Sequence, residues 1–332
     1  MTTMRDVAAR AGVSTATVSA VINSTAFVTD ELKTRVLEAI EELNYQPNVL
    51  AKFLRFNKTT SIGVIIQNIQ NPFYPSLLKG IEDTAWSKQH LVYLCNSDDH
   101  PDREMSFVQS LLQRKVDGMI VATAGYGVPN PVLDVLQQEN LPYILVNRYP
   151  DTTDSHVYVG MDNRFAGEMA ARHLLTSGKS RLAVISGPDH FSTSVERVKG
   201  FVQAAKSYGI QVSDSFICNG NYTENGGYES VRRLYEQSTP APDGLFCTND
   251  LMAYGAIQYL IENGYTLPQD IRVIGCDNIP FSTYCRIPLS TIDYPKYEMG
   301  AIAVRMLIER IQDPNCRQHS VILPPQLIIR ES

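Results

Sequence analysis

Lys52, Arg55 and Lys58 are interleaved with Phe53, Leu54 and Phe56 in the stretch AKFLRFNKTT, residues 51–60. Cations so spaced can neutralise successive phosphates. Apolar residues packed among them, outside any obvious core, need a second explanation: either they contact a partner or they cover the rest of the protein as a plain linker. Upstream, MRDVAARAGVSTATVSAVIN (4–23) places Val7, Ala8, Ala11, Val13, Val18, Val21 and Ile22 at helical spacing, broken once at Gly12. With Val18, Val21 and Ile22 turned inward, Thr15, Ala16, Ser19, Ala20 and Asn23 face outward. Side chains at such positions meet base edges or phosphates in a DNA major groove.

Other chemistries lack their residues. No G-x-G-x-x-G follows a strand pattern, since GYGVPN (125–130) lacks the third glycine, and there is no P-loop or G-x-S-x-G, which disfavours a nicotinamide enzyme or a hydrolase. The six cysteines (Cys95, Cys218, Cys247, Cys276, Cys285, Cys316) and six histidines are dispersed, so reduced core thiols are expected rather than a metal site. Net charge is −6, which alone argues against nucleic acid. Its distribution reverses that argument: residues 1–58 hold seven Lys/Arg and six Asp/Glu, or +1, leaving −7 for the remainder, and residues 48–58 hold three basic and no acidic side chains. No apolar run reaches the roughly 18 residues that span a bilayer, and the N-terminus lacks a signal-peptide pattern, so a cytoplasmic protein is expected.

The elements that must position these residues follow from periodicity. Gly12 suits the positive φ of a sharp turn and Ser14 is a good N-cap, giving a helix-turn-helix. TDELKTRVLEAIEELNY (29–45) predicts a third helix, capped by Thr29 or Asp30, with Leu32, Val36, Leu37, Ile40 and Leu43 as its stripe. Generic three-helix packing is the plainer alternative for this head. From Ser61 short apolar runs (SIGVII, LVYLCNS, GMIVAT, YILVNR, RLAVIS, SFICNG, GLFCTND, IRVIGCD) alternate with helical stripes such as PSLLKGIEDTAWSK, REMSFVQSLLQRK and AIAVRMLIERI. That predicts parallel α/β architecture with two sheets, and ligand contacts just beyond the strands' carboxyl ends.

DVAARAGVSTATVSAVIN, NYQPNVLAKFLR and SIGVII, followed by NPFY, VDGMIV, ERVKGF, TNDLMAYGA, IRVIGCDN and LSTIDYPKYEMG, resemble the lactose/galactose repressor (LacI/GalR) family of bacterial transcription regulators, closest in pattern to the ribose and purine repressors. The resemblance implies an all-α helix-turn-helix head at 1–46, a hinge at 47–59, and a two-lobed body at 60–332 like that of periplasmic sugar-binding proteins. Lobe 1 is expected at about 60–160 plus 294–322, and lobe 2 at about 161–293 plus 323–332. It further implies that paired hinges of a homodimer fold on double-stranded operator DNA and wedge a leucine into the minor groove. Leu54 matches that leucine, with Lys52, Phe53 and Arg55 beside it. Unstacking a base step costs a few kcal/mol, offset by the wider contact that bent DNA allows. Ala16 and Ala20 are too short to hydrogen-bond a base, so specificity is expected to lean on Thr15, methyl contacts and DNA shape.

Carried over by motif, the effector-binding residues implied by the resemblance are Asn71, Phe73 and Tyr74 (NPFY), Asn147 and Arg148 (VNRY), Arg197 (ERVKGF), Tyr222 (NGNY), Asn249 (TNDL), Asp277 (GCDN) and Tyr294 in the crossover STIDYP. Amides, a carboxylate and guanidinium groups bind hydroxyls, and aromatic faces cover C–H surfaces, as a sugar requires. Taken singly each has a duller role: a turn at Asn71, a surface arginine at 197, a helix cap at Asp277, core packing at Phe73 or Tyr222. Tyr294, Ala122 and Asn147 depart from the ribose-binding pattern, and two arginines suit carboxylate or phosphate. The expected effector is therefore a sugar, sugar acid or sugar phosphate ahead of a purine, with no cofactor, metal or enzymatic activity. The rival reading is a cytoplasmic sugar-binding or sugar-modifying protein whose head is only a dimerisation element.

Overall fold

A computed structural model describes residues 2–23, 26–45, 59–151, 156–237 and 240–332. The chain divides into two compact units, Met1–Thr59 and Thr60–Ser332.

In the first unit α1 (Met4–Ala11), α2 (Thr15–Asn23) and α3 (Asp30–Glu42) enclose a small core of Val7, Ala8, Ala11, Val18, Val36, Ala39 and Tyr45. A capping box starts α1: the Thr3 hydroxyl accepts from the Asp6 N–H while Asp6 accepts from the Thr3 N–H at 2.7 Å. Gly12 ends α1 at φ +65°, and a side chain there would also collide with Arg35, whose guanidinium donates to the Ala11 carbonyl. Ser14 caps α2 by accepting from the Thr17 N–H at 3.1 Å. Thr29 is the N-cap of α3, without a side-chain hydrogen bond.

In the second unit, one sheet runs β11–β5–β4–β3–β1–β2, all parallel. Its strands are β1 (Ser61–Ile66), β2 (Leu91–Asn96), β3 (Gly118–Val121), β4 (Tyr143–Val146), β5 (Tyr158–Met161) and β11 (Val321–Leu323). The other sheet runs β12–β10–β9–β8–β6–β7, parallel except for β10 against β12. It comprises β6 (Leu182–Ser186), β7 (Ile217–Asn219), β8 (Gly244–Cys247), β9 (Arg272–Cys276), β10 (Ser290–Asp293) and β12 (Gln326–Ile328). Among the described residues, eight α-helices follow these strands: α4 (Tyr74–Ser87), α5 (Pro101–Gln113), α6 (Pro131–Gln138), α7 (Asn163–Thr176), α8 (Ser192–Ser207), α9 (Glu224–Gln237), α10 (Asp250–Glu262) and α11 (Lys296–Gln312).

Period-2 alternation divides each sheet between two cores. Ile62, Val64 and Ile66 of β1 face Leu77 and Ile81 of α4 and Val304 and Leu307 of α11, whereas Ile65 faces Val108, Leu111 and Leu136 of α5 and α6. In the second sheet Val184 and Phe246 pack with Phe201 of α8, and Ile185 and Leu245 pack with Val231 and Leu260 of α9 and α10. The chain crosses between sheets three times, after β5, β10 and β11. The sequence-based reading places its last strand at PPQLIIRES (324–332), where β12 lies, but lacks three short strands: β5, β10 and β11. STID (290–293), read as part of a crossover, is strand β10, its polar Ser290 and Thr291 buried because Ser332 and Asp250 hydrogen-bond them.

Candidate functional site

In the described part of the head, Thr15 and Ala16 are exposed on α2 and Ala20 is half-exposed. Ser19 differs from the expectation that it faces outward: it neighbours core Val18 on α2 and is only 7 % exposed. Asn23 ends α2, and its side chain lies outside the described set, as do the hinge residues Lys52, Phe53, Leu54 and Arg55.

The ten body residues carried over by motif converge on one cavity of about 30 Å³, together with Thr193. Asn71, Phe73 and Tyr74 follow β1, Asn147 and Arg148 follow β4, Tyr222 follows β7, Asn249 follows β8, Asp277 follows β9 and Tyr294 follows β10, while Thr193 and Arg197 come from α8. All the strand-derived residues sit beyond carboxyl ends, where a parallel sheet leaves its crevice. Three of them adopt left-handed backbone: Asn147 (φ 65°), Tyr222 (φ 56°) and Asp277 (φ 114°). For non-glycine residues such conformations cost on the order of 1–3 kcal/mol each and concentrate at ligand sites.

Polar partners are unevenly shared. Arg197, 3 % exposed, donates from Nε to Asn163 Oδ1 at 2.9 Å and from Nη1 to the Thr248 carbonyl, and lies 3.5 Å from Asp277 Oδ1. Tyr294 donates to the same Asp277 oxygen at 3.1 Å, and Lys296 binds the Asp277 carbonyl and Asp293. Burial raises the Asp277 carboxyl above the ordinary range, opposed by Arg197 and Lys296. Asn163 and Tyr294 both lie on interlobe crossovers, so this network ties the second lobe's carboxylate to the segments about which the lobes would turn. Tyr74 donates to Gln67 Oε1 at 3.0 Å, and burial pushes its hydroxyl up to about 12.

Arg148 is arranged otherwise. Its guanidinium carbon lies 3.3 Å from the Phe191 ring centroid and 5.9 Å from that of Tyr222, while Nε and Nη1 are buried without a hydrogen-bond partner. Tyr222 is fixed by Thr193, hydroxyl to hydroxyl at 3.0 Å, and by Asn249 Nδ2 on its carbonyl at 3.2 Å. Asn249 Oδ1 caps α10 through the Met252 N–H at 2.9 Å, and Asn71 Oδ1 accepts from the Phe73 N–H at 3.0 Å. The turn and cap roles thus coexist with cavity lining in Asn71 and Asn249.

Sequence reasoning missed Thr193, Phe191 and Asn163. Thr193 and Phe191 follow the strand-end segment SGPDH and open α8, so the rule that favoured other strand ends applied to them too. A cavity of this size holds about two waters. That is too little room for a sugar-sized molecule in this conformation.

The chain matches the model for bacterial regulatory proteins of the lacI family at residues 3–48 and that for the periplasmic binding protein-like domain at residues 171–332. It is 34 % identical over 334 residues to the HTH-type transcriptional repressor PurR of Mannheimia succiniciproducens, covering 100 % of this chain and 98 % of that protein. It is 35 % identical over 333 residues to the ribose operon repressor of Escherichia coli K12, covering all of both. Among solved structures, a transcriptional regulator CelR–cellobiose complex superposes with TM-score 0.77 at 26 % identity, covering 100 % of each chain. A lac repressor dimer bound to operator and the anti-inducer ONPF gives 0.88 at 23 % identity, covering 99 % of this chain and 98 % of that one, a likeness of fold.

Proposed function

We infer the function of this chain from its kinship: it belongs to the lacI family of bacterial regulatory proteins and is a DNA-binding transcription regulator, not an enzyme. Its finer role is a cytoplasmic repressor of carbohydrate uptake or catabolism genes, controlled by a sugar, sugar acid or sugar phosphate in the cleft. Residues 1–46 act as the DNA-binding head, 47–59 as the hinge and 60–332 as the effector-binding and dimerising body. As a homodimer it reads a pseudo-palindromic operator, whose two-fold symmetry mirrors its own. Thr15, Ala16 and Ala20, with Asn23, meet the major groove, and Lys52, Phe53, Leu54 and Arg55 the minor groove. Ser19, only 7 % exposed, offers little surface to a base edge.

The observation that carries the reading is the convergence of amides, a carboxylate, two guanidinium groups and aromatic rings on one cavity of the body, in a chain whose residues 3–48 match the lacI-family model. Effector closing the lobes changes the placement of the hinges, and so the affinity for DNA. Among the described residues, no helix is long and apolar enough to cross a membrane.

A thermal-shift screen of the full chain against pentoses, hexoses, sugar acids, their phosphates and purines tests this. A single-site ligand at 100 times its Kd stabilises by about 2.7 kcal/mol. The expected result is a hit that also alters DNA retention. Hits among purines alone would contradict the carbohydrate assignment, and a ligand that leaves DNA binding untouched would favour the rival, in which the head only dimerises.

A further inference from the structure

Arg148 is 5 % exposed, yet two of its three guanidinium nitrogens have no hydrogen-bond partner and no carboxylate among the described residues pairs with it. Stacking on Phe191 returns only part of what desolvating a cation costs. Arg197 beside it is held through Nε by Asn163 and through Nη1 by the Thr248 carbonyl, with Asp277 at 3.5 Å. On its other side Glu104 is held by the Thr123 hydroxyl, in a separate chamber of about 160 Å³ that Asp99 also lines. The side chains that line the cleft itself carry Arg148 and Arg197 against Asp277, a net +1, while Asp99 and Glu104 act on Arg148 only through space from the neighbouring chamber. Helices α4, α8 and α10 all begin at this space, presenting Tyr74, Thr193 and Asn249, and their positive dipole ends add to that field.

We propose that the cleft ligand carries an anionic group, a carboxylate or a phosphate, and that Arg148 is the residue that pairs with it. This rests on the reading of the cleft as the effector site and narrows it: the polyhydroxylated part lies against Asn71, Asn147, Asn249 and Asp277, and the anion against the uncommitted guanidinium. Neutral sugars leave Arg148 buried and unpaired, and are discriminated against for that reason.

The test is calorimetry and thermal denaturation of the full chain with matched sets: glucose, gluconate and glucose 6-phosphate; ribose, ribonate and ribose 5-phosphate. An acid or a phosphate is expected to bind roughly 10- to 100-fold tighter than its neutral parent. Which of the two does so identifies the anion. Arg148→Met should abolish that preference while raising the melting temperature of the ligand-free protein, because an uncompensated buried charge is removed. A neutral parent that binds as tightly as its anions, or a variant that keeps the preference, overturns the anion assignment and leaves the cleft reading standing. A ligand-free variant that melts lower than wild type overturns it as well, by making Arg148 a structural cation. A wild type that binds neither neutral nor anionic members overturns both readings.

Discussion

Asp250 shows how a single buried carboxylate shapes the frame of the site. It accepts from the Ile279 N–H at 2.9 Å, the Ser282 hydroxyl at 2.6 Å and the Thr291 hydroxyl, and so fastens α10 to β10 and to the loop after Asp277. Burial, then the nearby Asp277, pushes its carboxyl up to about 7 despite those donors. Because the folded state holds this proton more tightly than the unfolded chain, the unfolded state binds fewer protons between about pH 4 and pH 7, and stability falls as pH rises through that window. Asp250→Asn should remove this slope, read as a urea midpoint that varies less than wild type from pH 4.5 to 7.5. An unchanged difference between the two proteins across that range would contradict the account. At this scale the sequence was informative where polarity stood at a strand end, as with Asn147 or Asp277. It was silent on which arginine is satisfied, since Arg148 and Arg197 differ only in neighbours brought from distant segments.

Elements position these residues through close helix contacts. Helices α7 and α8 cross at reciprocal glycines: a Cβ on Gly167 would lie 1.9 Å from the Arg197 carbonyl oxygen, and one on Gly200 1.9 Å from that of Arg164. The same arrangement joins α9 to α10 at Gly227 and Gly255, and α4 to α11 at Gly80 and Gly300. Gly200→Ala must therefore push α8 outward, at a cost of about 1–3 kcal/mol or more. Since α8 carries Thr193 and Arg197, cleft ligand affinity should fall with stability. Urea unfolding and ligand titration check this, and a variant of wild-type stability and affinity would contradict it. The long apolar runs made β1 to β4 and β6 to β9 legible in the sequence. β10 escaped because its polar Ser290 and Thr291 are buried by hydrogen bonds that only the tertiary fold reveals, whereas β5 and β11, no shorter than the legible β7, were passed over. The glycines of the helix crossings were equally unreadable, since a helix-interior glycine signals nothing until its partner helix is known.

Across the whole molecule, the body must convert ligand closure into a change at the hinges. To move the DNA-competent population from about 1:99 to 99:1, a ligand must prefer one state by roughly 5.5 kcal/mol. Several cleft hydrogen bonds that form only on closure, including charge-assisted ones, are of the right order. The crossovers that bear Asn163 and Tyr294 are tied to Arg197 and Asp277, so two of the residues proposed to contact the ligand share a hydrogen-bond network with the crossovers. The three-helix head and the α/β body were legible in the sequence, because turn and cap motifs precede alternating apolar runs and helical stripes, whereas residues 46–58, which hold nearly all of the expected hinge, lie outside the described residues.

The most direct measurement is the DNA affinity of the full chain carrying Lys52→Glu and Arg55→Glu beside wild type, on a duplex selected from a random pool, at several salt concentrations. Lost phosphate contacts should weaken binding by about 100-fold or more and lower the salt slope by about 2, with thermal stabilisation by the cleft ligand unchanged. Equal DNA affinity for the two proteins would contradict the account and leave the head as a dimerisation element alone.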